Sequence, residues 1–134
     1  MATASRFRIP ATRLCEAQLV HQPRTFLYQF DWESPARRGA LGSCHAIELP
    51  FVFGTLDAPM QDRFAGKGPA VERLSAAMMD AWLAFARTGD PSAPAIGDWA
   101  RYDTTRRATM VFDRESRLVD APLDEERAAW DGML

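Results

Sequence analysis

His45 is the residue of this chain best placed to do chemistry. It sits in Leu41-Gly-Ser-Cys-His-Ala-Ile-Glu-Leu-Pro-Phe-Val-Phe-Gly54, between a turn of small residues and a dense apolar block. An imidazole titrates near neutrality and serves as a general base when a loop holds it in a fixed direction. Gly42, Ser43 and Cys44 permit a sharp turn, and glycine reaches positive φ at little steric cost. Leu49, Phe51, Val52 and Phe53 then enter a core, with Pro50 opposing regular helix and Gly54 closing the run. Glu48, three residues beyond the histidine, reads as a support for the loop, its carboxylate accepting from backbone N–H groups. Cys44 beside His45 invites a thiol or zinc reading. Neighbours on a turn point apart, however, and the spacing of Cys15, His21, Cys44 and His45 matches no zinc pattern. His21 reads as a helix-end histidine near free carbonyls.

Nucleophilic catalysis needs more than a base. The serines are Ser5, Ser34, Ser43, Ser75, Ser92 and Ser116, and none lies in a G-x-S-x-G elbow. No His-Gly-Gly-Gly run supplies oxyanion donors.

Several elements must hold the His45 turn. Phe7 to Val20 reads as an entry turn and a helix, with Pro10 at a first helical position and Pro23 beyond its end. Thr25 to Trp32, aromatic and uncharged until Asp31, is the clearest strand. Its continuous apolar character predicts burial on both faces, as in a parallel sheet covered by helices. No second strand of this kind stands out. Ser34 to Gly39 is a loop, and Thr55 to Gly68 a surface connection. Val71 to Arg87 is the clearest helix: Val71, Leu74, Met78, Trp82 and Phe85 form one apolar stripe, and Gly89 and Pro91 follow its end. Trp99 to Tyr102 and Thr109 to Phe112 read as an antiparallel pair around a turn at Asp103 to Arg107. Pro122 opens a last helix with Asp124, Glu125 and Glu126 in its first turn, the right sign for the dipole, and Trp130 packs its far end. Arg37-Arg38 and Arg106-Arg107 read as solvated turns.

With 134 residues, 47% of them apolar, one domain with a real core is expected. A net charge of -2 gives no electrostatic reason for a nucleic-acid or membrane partner. Two cysteines, Cys15 and Cys44, make no disulfide framework. No apolar h-region follows the N-terminal charges, and no run nears the roughly 18 apolar residues of a spanning helix. A soluble, cytoplasmic location is expected.

The run Gly42-Ser-Cys-His-Ala-Ile-Glu-Leu-Pro-Phe-Val-Phe-Gly54 resembles the catalytic-histidine segment of type B carboxylesterases, the family of bacterial para-nitrobenzyl esterases and the cholinesterases. Phe7-Arg-Ile-Pro-Ala-Thr-Arg-Leu-Cys-Glu-Ala-Gln18 is similar to that family's helix before the penultimate strand. Leu74 to Pro91 is similar to its long C-terminal helix, and Trp99, Tyr102 and Met110-Val-Phe-Asp113 to its terminal hairpin. The resemblance covers roughly residues 7 to 130 and corresponds to about the last quarter of a family enzyme.

It implies an α/β class, the C-terminal part of an α/β-hydrolase fold: helix, central parallel-type strand, catalytic-histidine loop, long helix, edge hairpin and terminal helix. The sheet is incomplete, and residues 1–134 form a single partial domain. In this family the triad runs Ser, then Asp or Glu, then His, so His45 would be the general base. The family's usual residue after this histidine is glycine, and here it is Ala46. The resemblance implies no cofactor and no metal, and a small to medium carboxylic ester as substrate of the complete enzyme. Alone, the chain lacks nucleophile, acid and oxyanion hole. The alternative is a non-catalytic dimerising or partner-binding module, with self-association or complementation by the missing N-terminal part.

Overall fold

The computed structural model describes residues 3–133. A wide helical turn, Ala4–Arg8, runs directly into α1, Ile9–Leu19. The helix therefore starts before Phe7, and Pro10 stands inside a continuous helical run. The Ile9 N–H reaches back to the Ala4 carbonyl, five residues away, and this wider turn relieves the clash a proline ring makes with the preceding turn. The other elements are β1 (Leu27–Phe30), α2 (Leu49–Val52), α3 (Gln61–Phe64), α4 (Pro69–Thr88), β2 (Ala108–Phe112), β3 (Arg117–Asp120) and α5 (Asp124–Ala128).

The three strands form one sheet in the order β1-β2-β3. The Asp31 N–H donates to the Phe112 carbonyl at 2.8 Å. The C-terminal ends of β1 and β2 therefore lie side by side, which makes the pair parallel and supplies the expected strand with its partner. The hairpin forms from different residues than the sequence suggested. β2 pairs with β3 across Asp113–Ser116, whereas Trp99 to Tyr102 adopts no strand. So short a connection permits only an antiparallel pair. All five residues of β2 are buried, so it is the middle strand and takes a neighbour on each side.

By backbone contacts the chain divides into two compact units. One unit gathers the chain up to Leu27, Ala100–Met110 and the chain from Leu118. Its core holds Ile9, Cys15, Tyr102, Ala108 and Met110. The Tyr102 hydroxyl donates to the Glu16 carboxylate at 3.1 Å, and burial, reinforced by that carboxylate, raises the phenol well above its ordinary range. Arg107 is not the solvated turn residue expected: its side chain is only 22% exposed and faces Glu16 and Asp124. The acids Asp124, Glu125 and Glu126 do occupy the first turn of α5, which starts after Leu123 rather than at Pro122. The Trp130 carbonyl accepts from Arg13 at 2.9 Å. His21 lies just beyond α1, exposed, with its backbone N–H on the Gln18 carbonyl.

The other unit comprises Tyr28–Trp99 and Val111–Arg117. α4 follows the expected stripe at Val71, Leu74 and Met78, all buried, while Phe85 near its end is 46% exposed. Gly89 ends it in the left-handed conformation, φ 74°, with its N–H on the Phe85 carbonyl, as glycine-capped helices do. Trp82, Trp99, Phe112 and Tyr28 form one ring cluster, with neighbouring centroids 5.1 to 6.4 Å apart. The connection from Thr55 to Gly68 contains the single turn α3 and one fully buried residue, Ala65.

Candidate active site

The His45 turn is assembled from short-range ties around the end of β1. Gly42 takes φ 56° and Ala46 φ 67°, so the backbone reverses on either side of the histidine. Ile47 donates to the Cys44 carbonyl and Leu49 to the Ala46 carbonyl, both at 3.3 Å. His45 itself is exposed on this turn. The left-handed φ falls at Ala46, a position where the sequence departs from the resembled motif. Glycine fits that conformation freely, whereas alanine meets a Cβ clash there.

Two serines fasten the loop that leads to the histidine. The Ser34 N–H donates to the Gly42 carbonyl at 3.0 Å. The Ser34 hydroxyl, itself buried, donates to the Phe64 carbonyl at 2.5 Å and accepts from the Ala36 N–H. Between them Arg37 and Arg38 both take left-handed φ and are exposed. The Ser43 hydroxyl donates to the carbonyl of Phe30, the last residue of β1, at 2.6 Å.

Beyond the histidine, the apolar block behaves differently from its sequence reading. Leu49–Val52 form the single turn α2, with Pro50 in its first turn. A proline there gives up only an N–H that had no helical partner, so Pro50 promotes this turn rather than opposing it. Ile47, Pro50 and Phe51 point inward, with Phe51 at 0% exposure, while Leu49 and Phe53 are 46% and 70% exposed. The Phe51 ring packs against Phe30 at 5.2 Å and Trp32 at 5.6 Å between centroids. Its carbonyl accepts from the buried Ser75 hydroxyl of α4 at 2.8 Å. The Trp32 indole N–H donates to the Ala65 carbonyl at 2.9 Å, and the Arg114 guanidinium lies over its ring.

Glu48 supports the turn through its main chain, not through the carboxylate expected of it. Its carbonyl accepts from Phe51 and Val52 at 3.0 Å, and its side chain makes no cap to α2. The carboxylate is close enough to Tyr28 of β1 to add to the effect of burial, which raises the Tyr28 phenol. Cys44 is a partly exposed free thiol. Cys15 and His21 belong to the other unit, and among the described residues no three of His, Cys, Asp and Glu are placed to hold a metal ion. The role of Ser43 went unread in the sequence, where it counted only as a small turn residue.

Comparison with known proteins places these features in a wider set. A family model described as "Carboxylesterase family" matches residues 1–130. The para-nitrobenzyl esterase of Bacillus subtilis is 36% identical over 127 residues, covering 95% of this chain and 25% of that protein. The phenmedipham hydrolase of Pseudarthrobacter oxydans is 40% identical over 94 residues, 69% of this chain and 19% of that protein. Among solved structures, a carboxylesterase of Geobacillus stearothermophilus superposes with a TM-score of 0.82 at 38% identity, over 96% of this chain and 27% of that one. The chain thus spans 25% of the length of the Bacillus relative.

Proposed function

The chain belongs to the carboxylesterase family, and on that premise we propose that it is the C-terminal segment of a serine carboxylesterase whose triad base is His45. Its fold is the C-terminal part of an α/β-hydrolase, incomplete as a sheet. The observation that carries the proposal is the 2.6 Å bond from Ser43 to Phe30. It holds the histidine turn at the C-terminal end of a strand that runs parallel to its neighbour, the end where open α/β sheets bind their ligands.

In that role the imidazole takes the proton of a serine nucleophile as it attacks the ester carbonyl. It returns the proton to the departing alcohol, and a carboxylate fixes its tautomer. Nucleophile, carboxylate and oxyanion donors are supplied by parts of the domain that this sequence does not match. The substrate proposed is an uncharged carboxylic ester of small to medium size.

Two measurements test this. The purified chain hydrolyses a short-chain nitrophenyl ester no faster than its His45→Ala variant. A chimera in which this chain replaces the corresponding last quarter of the Bacillus para-nitrobenzyl esterase hydrolyses the ester, and His45→Ala lowers its kcat by about 10^4 or more, the size of losses in comparable triads. A chimera that keeps its rate without the imidazole refutes the assignment.

A second reading is favoured by exposed apolar side chains in the His45 unit: Phe53, Met60, Leu83 and Phe85 are 70%, 60%, 50% and 46% exposed. Such residues suit self-association, or complementation by the remainder of a hydrolase domain. Light scattering that gives a concentration-dependent mass supports it, and a strict monomer counts against self-association.

A further inference from the structure

We infer that Ser43 is a positioning residue for His45, acting through its hydroxyl bond to the end of β1. The inference rests on the reading of His45 as the base and adds what fixes its direction. The two flanks of the histidine are held by unlike means. On the C-terminal side Ile47 is buried to 1% exposure, Phe51 to 0%, and the turn closes through the Ile47 and Leu49 N–H groups. On the N-terminal side Gly42 has no side chain to pack, Cys44 is only partly covered and Ser43 is exposed. What holds that flank is hydrogen bonding: Gly42 donates to Gly39 and accepts from Ser34, each at 3.0 Å, and Ser43 donates to Phe30 at 2.6 Å.

Of these three, the Ser43 bond is the one closest to His45 along the chain and the one made by a side chain. It also joins both flanks to a single residue. Phe30 receives the Ser43 hydroxyl on its carbonyl and the Phe51 ring against its own ring, 5.2 Å between centroids. With both flanks referenced to one residue, the turn is held at two points and its swing about the Ile47 anchor is stopped. Removing the hydroxyl leaves the packed flank intact and frees the other.

The chain carries two histidines, His21 and His45, so its imidazole Cε1–H region of the proton NMR spectrum holds two resonances, assigned by His21→Ala and His45→Ala. Ser43→Ala is expected to broaden and shift the His45 line while leaving the His21 line in place and lowering the melting temperature by no more than a few degrees, and Ser43→Thr, which keeps a hydroxyl, restores the original line. In the chimera, Ser43→Ala lowers kcat about two- to tenfold with KM unchanged, the effect of losing one ordinary hydrogen bond. Ser43→Thr recovers it. A His45 line unmoved by Ser43→Ala overturns the inference, as do equal changes in both histidines or a failure of threonine to rescue. The NMR result is independent of catalysis: an inactive chimera, or one indifferent to His45→Ala, counts against the base and not against the hold on its ring.

Discussion

Phe51 and Phe53 stand two residues apart in one apolar run, and the structure gives them opposite fates. Phe51 has 0% exposure, and Phe53 has 70%. Truncating a buried phenylalanine removes its transfer free energy and leaves a cavity, together about 3–5 kcal/mol. The value for Phe51 belongs at the upper end. Its ring meets Phe30 and Trp32 at 5.2 and 5.6 Å, contacts worth about 0.5–1.5 kcal/mol each beyond area, and the backbone carbonyl bonded to Ser75 keeps the site from collapsing. Phe53→Ala removes little buried surface and costs under about 0.5 kcal/mol. Urea unfolding followed by far-UV circular dichroism reads both. With a slope of about 2 kcal/mol per molar, Phe51→Ala lowers the midpoint by about 2 M and Phe53→Ala by less than about 0.3 M. Equal midpoints for the two variants refute the account of α2 as an inward anchor for the histidine turn.

The other predictions concern the same turn and the two thiols. Ala46 at φ 67° bears about 1–2 kcal/mol of left-handed strain, and glycine there gives back about 0.4–1 kcal/mol through the freer unfolded chain. Ala46→Gly is therefore expected to raise the melting temperature by a few degrees, and a fall in melting temperature counts against the strain. Burial, helped by Glu16, pushes the Cys15 thiol up to about 11, while Cys44 is partly exposed. Iodoacetamide at pH 8 should label Cys44 alone until urea is added, and equal labelling of both in the native protein is the contrary result. Because the raised value favours the neutral thiol in the folded state, its stabilising contribution is whole below about 9 and is lost as pH rises towards about 11. Cys15→Ala should flatten the fall of stability across that window, as read by urea midpoints at pH 8 and 10.5.

The sequence was most legible where local pattern and tertiary burial agree. Val71, Leu74 and Met78 recur at helical spacing and all three are buried, and Gly89 closes the helix in the conformation that glycine favours. The strand at Leu27–Phe30 was legible from its aromatics, but its partner was not. β2 reads as part of a hairpin, and only the fold shows it taking a neighbour on both sides. β3 was missed because Arg117-Leu-Val-Asp120 places just two apolar residues between charges, too short a run to show a period. Pro50 misled by its reputation as a breaker, since the same ring is favoured in a first helical turn. Phe53 misled because hydrophobicity alone does not say which side of a turn faces inward. The turn around His45 was legible from its small residues and the apolar block after it, whereas the Ser43 to Phe30 bond joins residues thirteen apart and has no local signature.

The ties that hold His45 close over a short stretch of chain. Ser43 to Phe30, Ser34 to Gly42 and Phe64, Trp32 to Ala65 and Ser75 to Phe51 all begin and end between residues 30 and 75, within one compact unit. A catalytic base needs its direction fixed more than it needs its neighbours in sequence, because proton transfer is efficient only when the imidazole already points at the hydroxyl. A self-contained support meets that need whether or not a nucleophile is present. Triad members act as a unit, so under the proposed assignment a well-held base without its nucleophile and oxyanion donors is expected to accelerate nothing measurable. His45 is exposed on that support, so under the proposed assignment the loop sets where the ring starts and the rest of the domain sets what it meets.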